Sequence, residues 1–67
     1  MILRVNGEEK TFYEKIDNVK QLLDVLGVKP HLAAVEVNRT IVDPKLFEQT
    51  MLKDRDRVEI VSFVGGG

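Results

Sequence analysis

Met1-Ile2-Leu3-Arg4-Val5-Asn6-Gly7-Glu8-Glu9-Lys10-Thr11-Phe12-Tyr13 gives way, across Glu14-Lys15-Ile16, to Asp17-Asn18-Val19-Lys20-Gln21-Leu22-Leu23-Asp24-Val25-Leu26-Gly27. The first run has a side-chain period of two and the second a period near 3.6. Asn6-Gly7 is the strongest short hairpin signal, because both central residues of a type I′ turn need φ > 0. The spacing therefore predicts a strand before Asn6 and a return strand at roughly Glu9 to Tyr13. Leu3 and Val5 share one face, with Ile2 and Arg4 on the other. In the second run Val19, Leu22, Leu23 and Leu26 fall at i, i+3, i+4 and i+7, one apolar stripe of an amphipathic helix of about three turns. Asn18 or Asp17 caps its start, Gly27 suits a left-handed C-terminal residue, and Pro30 blocks continuation.

Beyond the helix, Ala33-Ala34-Val35-Glu36-Val37-Asn38 alternates as a strand with Val35 and Val37 inward. Asn38-Arg39 reads as a turn and Ile41-Val42 as a short strand ended by Asp43-Pro44. Lys45 to Met51 is expected to make one loose helical turn that lays Leu46, Phe47 and Leu52 on the sheet. Lys53-Asp54-Arg55-Asp56 reads as a solvated polar turn, and Val58 to Val64 as the last and longest strand. The order is an α+β domain: a mixed sheet with one main helix on one face. Residues 1–64 form a single domain and 65–67 a flexible tail. With one helix to cover it, the sheet leaves its other face to water. In the last strand Val58 and Ile60 take the inward parity, while Val61 and Phe63 point outward with Glu59. Two large apolar groups beside the chain end are candidate partner-docking residues.

Sixty-seven residues support one small domain with little room for a deep catalytic cavity. Absence of cysteine removes disulfides, thiolate metal sites and a catalytic thiol. Ten basic against eleven acidic residues give no nucleic-acid footprint. No apolar run approaches the ~18 residues that span a bilayer, and the start has no signal-peptide layout. The expectation is a soluble, cytoplasmic protein with no catalytic residue, metal or bound cofactor of its own. His31, beside Pro30, reads as a surface or turn residue, and Asp54 and Asp56 as turn carboxylates too sparse for a metal.

The chemistry is expected at Gly65-Gly66-Gly67. Glycines at an end pack nothing and lose the most backbone entropy when ordered, but they make a thin extension able to thread a narrow channel. The reactive group it would deliver is the α-carboxylate of Gly67, ionised at neutral pH. A carboxylate becomes an acyl donor when ATP adenylates it, after which a sulfur nucleophile can displace AMP. The chain has no phosphate cradle, so a partner enzyme would have to supply ATP and Mg²⁺.

The sequence resembles the ThiS family of sulfur carriers, within the ubiquitin-like β-grasp superfamily, over essentially its full length. The resemblance rests on Ile2-Leu3-Arg4-Val5-Asn6-Gly7-Glu8, Asn18-Val19 with Leu22-Leu23, and Val35-Glu36-Val37-Asn38 with Ile41-Val42-Asp43-Pro44. Its most specific part is Asp56-Arg57-Val58-Glu59-Ile60-Val61-Ser62-Phe63-Val64-Gly65-Gly66-Gly67. Arg55 stands where the family usually has Gly, and Phe47 where many members have Trp. The resemblance implies adenylation of Gly67 by a ThiF-type enzyme and thiocarboxylation with cysteine-derived sulfur. It further implies donation of that sulfur to a ThiG-type thiazole synthase during thiamine biosynthesis. Related alternatives are a molybdopterin synthase small-subunit type of carrier, and a ubiquitin-like modifier or docking module.

Overall fold

The computed structural model describes residues 1–63. Its elements run β1 (Ile2–Val5), β2 (Glu8–Thr11), α1 (Val19–Leu26), β3 (Ala33–Val37), β4 (Thr40–Val42) and β5 (Arg57–Ser62), with single 3₁₀ turns at Pro30–Leu32 and Pro44–Leu46. The five strands form one sheet in the order β2-β1-β5-β3-β4. β5 lies in the middle, parallel to β1 and antiparallel to β3. This is the mixed sheet with one helix that the change of period predicts.

Each local signal has its physical counterpart. Asn6 and Gly7 both take positive φ, 51° and 82°, and pair Val5 with Glu8 across a two-residue turn. The Asn6 side chain then accepts a hydrogen bond from the Ile60 amide at 2.7 Å, so the turn also braces the central strand. β2 stops at Thr11, before the expected Tyr13. Phe12 is buried and exchanges backbone hydrogen bonds with Met1, whereas Tyr13 is 93% exposed. Asn38 and Arg39 form the second left-handed pair, at φ 50° and 71°, and close β3 onto β4.

The helix is eight residues long, little more than two turns and shorter than expected. A helix this short depends on tertiary support, which it receives at its N-terminus. Asn18 accepts from the Gln21 amide through its side chain and from the Leu22 amide through its carbonyl. The remaining first-turn amides go to a distant segment: Val19 to the Thr50 carbonyl and Lys20 to the Phe47 carbonyl. Val19, Lys20 and Gln21, the first-turn amides with no partner inside the helix, are thereby satisfied. Gly27 ends the helix at φ 73°.

Leu3, Val5, Phe12, Ile16, Val19, Leu22, Leu23, Ala33, Val35, Val42, Phe47, Leu52, Val58 and Ile60 make one continuous core, with Leu26 and Val37 partly buried against it. The inward parity expected for β1, β3 and β5 therefore holds. One expectation fails: Leu46 is half exposed, because Pro44–Leu46 is a 3₁₀ turn that sends Phe47, not Leu46, into the core. β5 spans Arg57–Ser62, and Val64, expected as its end, lies outside the described residues.

Candidate functional site: the end of the central strand and the uncovered face

β5 is braced unequally along its length. At its start it pairs with β1 through Arg4 and Val5 and with β3 through Glu36 and Val37. The Arg4 amide donates to the Asp56 carbonyl and the Asn6 amide to the Val58 carbonyl, continuing the parallel ladder. Beyond Ile60, β1 has already turned away at Asn6. Val61 and Ser62 pair with Ala34 and Ala33 alone, and the Phe63 amide reaches the Leu32 carbonyl at 2.7 Å. Among the described residues no strand flanks β5 on its other side there. The strand thus leaves the sheet held along one edge.

Val61 and Phe63, the two docking candidates, are 59% and 54% exposed, as alternation predicts. Gly65, Gly66 and Gly67 lie outside the described residues. His31 is exposed in the Pro30–Leu32 turn.

The reading of Lys53-Asp54-Arg55-Asp56 as a solvated turn needs correction. Asp56 is buried: its carboxylate accepts from the Asn38 side-chain amide at 3.0 Å and from the Lys53 backbone amide at 2.8 Å. Asp54 accepts from the Ile2 amide at 2.7 Å and so caps the edge of β1. Both carboxylates have structural partners that sequence spacing could not reveal, because Asn38 and Ile2 are distant in the chain. Arg55 sits between them at φ 75°, a left-handed position that glycine would adopt more easily.

The uncovered face of the sheet carries an ordered set of charges that the sequence pattern did not expose. Register places Arg4 directly beside Arg57 and Glu36 directly beside Glu59, with Ala34 beside Val61. Arg4, Arg55 and Arg57, with Ile2 and Glu9, line a shallow cleft of about 220 Å³. Glu9 is the one carboxylate among those residues and lies 3.7 Å from Arg55. Alternation alone assigns a residue to a face. Finding its neighbour requires the pairing of strands that are distant in the chain.

The model of the ThiS family matches residues 3–67. The chain belongs to the ThiS family. Among its relatives, the sulfur carrier protein ThiS of Bacillus subtilis is 32% identical over 66 residues, covering 98% of this chain and 100% of that protein. The thiamine biosynthesis protein ThiS from Geobacter metallireducens, in its crystal structure, superposes with a TM-score of 0.83 at 38% identity, covering 100% of both chains. A protein named thiazole synthase, from Paramagnetospirillum magneticum, is 43% identical over 67 residues. This chain spans 100% of its own length in that match but only 20% of the thiazole synthase. ThiS proteins are small sulfur carriers of thiamine biosynthesis rather than catalysts, and the mixed sheet with one helix is their ubiquitin-like β-grasp fold. No helix among the described residues is long and apolar enough to cross a membrane.

Proposed function

We propose that this chain carries sulfur as a thiocarboxylate on Gly67 and delivers it to a thiazole synthase. The observation that carries the reading is the family match, which spans residues 3–67 and so includes β5 and Gly67. In the first step a Gly67 carboxylate oxygen attacks the α-phosphorus of ATP and pyrophosphate leaves. Sulfur at the sulfide level, released from a cysteine-derived persulfide by a thiol reductant that is oxidised to its disulfide, then adds to the acyl carbon. AMP departs with the bridging oxygen, and one carboxylate oxygen has been exchanged for sulfur. ATP and Mg²⁺ belong to a ThiF-type adenylating partner working in the cytoplasm.

The thiazole synthase of Paramagnetospirillum magneticum supports the choice of acceptor, since a stretch resembling this whole chain occupies a fifth of that protein. What the carrier itself contributes is presentation. Its last strand is anchored in the middle of the sheet and projects Val61 and Phe63 to solvent just before the glycines.

Intact mass spectrometry after incubation with the adenylating enzyme, ATP, Mg²⁺, cysteine, a cysteine desulfurase and a thiol reductant tests the reading. The expected product has one oxygen replaced by sulfur. Deleting Gly66 and Gly67 should abolish that exchange and leave the melting temperature unchanged, because glycine has no side chain to contribute to a core. An isopeptide between Gly67 and a target lysine, in place of the sulfur exchange, would make the chain a modifier instead.

A further inference from the structure

Asn6-Gly7 turns the first hairpin, and the same dipeptide holds the parts of a covalent reaction. The Gly7 main-chain nitrogen can attack the Asn6 side-chain carbonyl carbon. A C–N bond then closes a five-membered imide, the nitrogen gives its proton to solvent, and ammonia leaves. Water opens the ring at either carbonyl, leaving aspartate or isoaspartate, and nothing is oxidised or reduced. The three asparagines of the chain are unequal in this respect. Val19 follows Asn18 and Arg39 follows Asn38, whereas Gly7 has no side chain to hinder its nitrogen. Asn6 and Gly7 are both exposed, so base and water reach them freely.

The fold opposes the reaction by geometry. With φ of 51° and 82° the pair forms a type I′ turn, in which ψ of the first residue is about +30°. That torsion sets the Gly7 nitrogen about 150° from the Asn6 Cβ around the Cα–C bond, whereas ring closure needs the two nearly eclipsed. The side chain is held as well, because its Oδ1 accepts from the Ile60 amide at 2.7 Å. Next to it the Asn6 amide donates to the Val58 carbonyl at 2.9 Å. Donation from Ile60 polarises the side-chain carbonyl and favours attack, but the attacking atom faces away, so geometry decides. Bringing that atom round rotates the Asn6-Gly7 peptide out of the turn and swings the side chain off Ile60.

We propose that Asn6-Gly7 is a self-modification site gated by β5: closed while Asn6 holds the Ile60 amide, open once the strand lets go. The proposal is independent of the carrier reading. Its two products have different fates. Aspartate keeps an oxygen for the Ile60 amide on an unchanged main chain. Isoaspartate routes the main chain through the former side chain and adds a methylene, so a two-residue turn no longer pairs Val5 with Glu8. A chain that stays open is thereby marked irreversibly at the brace of its central strand.

The test incubates the full chain at neutral pH in buffer and in urea. Peptide mass spectrometry follows loss of each asparagine amide, chromatography separates aspartyl from isoaspartyl peptides, and hydrogen exchange of the Ile60 amide is measured in parallel. Loss at Asn6 should run about a hundredfold slower in the native chain than in the unfolded one. Leu22→Ala opens a hole at a fully buried position and should recover most of the unfolded rate without urea. Across the urea range, loss at Asn6 and exchange at Ile60 should rise together, since both need the same hydrogen bond to break. Asn6→Asp should melt within about 5 °C of wild type, and the purified isoaspartyl chain at least about 10 °C lower. Equal rates in native and unfolded chains would overturn the gate. So would loss at Asn6 while the Ile60 amide stays protected. Faster loss at Asn18 or Asn38 than at Asn6 would overturn the choice of site, and an isoaspartyl chain that melts with wild type would overturn the marking.

Discussion

On the covered side of the sheet, Leu3, Val5, Val35, Val58 and Ile60 are buried with the apolar stripe of α1. On the other side, the residues that alternate with them are Arg4, Ala34, Glu36, Arg57, Glu59 and Val61. The same strands, with the same backbone pairing, thus serve two purposes. The first face has aliphatic groups of one kind at every level, and its energy comes from removing area from water. The second has a different character at each level and keeps two pairings that work against the free chain. The core lies on one side of a single layer and the proposed docking residues on the other, so substitutions on either side should have little effect on the other.

Substitutions on the two sides should separate accordingly. Leu22→Ala opens a hole at a fully buried position of α1 and should cost about 2–5 kcal/mol. A domain of this size holds only about 3–5 kcal/mol, so the variant should be largely unfolded at room temperature. Urea denaturation followed by circular dichroism would measure it; a loss below about 1 kcal/mol would mean that the helix contributes less than the comparison requires.

Asp56→Ala lies at the rim between the two sides. It strands the Asn38 side-chain amide and the Lys53 backbone amide, and should cost about 1–3 kcal/mol by the same measurement. A neutral outcome would show that water replaces the carboxylate at that corner.

Arg39→Gly relieves a left-handed residue and completes an Asn-Gly turn at the β3–β4 hairpin, so it should stabilise by about 0.5–1 kcal/mol. Thermal denaturation would detect this as a higher midpoint.

Phe63→Asp should alter stability least, by no more than about 0.5 kcal/mol, because the ring is mostly in solvent. The same variant should bind the adenylating enzyme more weakly in a titration calorimetry experiment. A collapse of its melting temperature would place Phe63 among the core residues and blur the division between the two sides.

The elements that were legible in the sequence are those whose causes are local. Asn6-Gly7 can hardly be anything but a primed turn, and Val19, Leu22 and Leu23 fall on one helical stripe whatever surrounds them. Alternation also placed Val61 and Phe63 outside and Val58 and Ile60 inside. What sequence missed depends on partners far along the chain. The helix is shorter than its apolar stripe, and its first amides end on carbonyls at Phe47 and Thr50, which no helical pattern contains. Asp56 looks like a turn carboxylate until Asn38 is brought beside it. The opposed pairs Arg4–Arg57 and Glu36–Glu59 exist only once β5 has entered between β1 and β3. Of the candidate site, the docking pair was readable from parity, whereas the charge order beside it required the register. The glycines were marked by their composition and lie beyond the described residues.

The position of β5 bears on how the molecule is made. Among the described residues it is the last strand in chain order and the one on which the other two pairs of strands converge. Until Ser62 has left the ribosome, the chain has two separate hairpins and a helix with no common sheet to join. Nascent chains interrupted earlier lack the strand that joins the two hairpins and leave their edges unpaired.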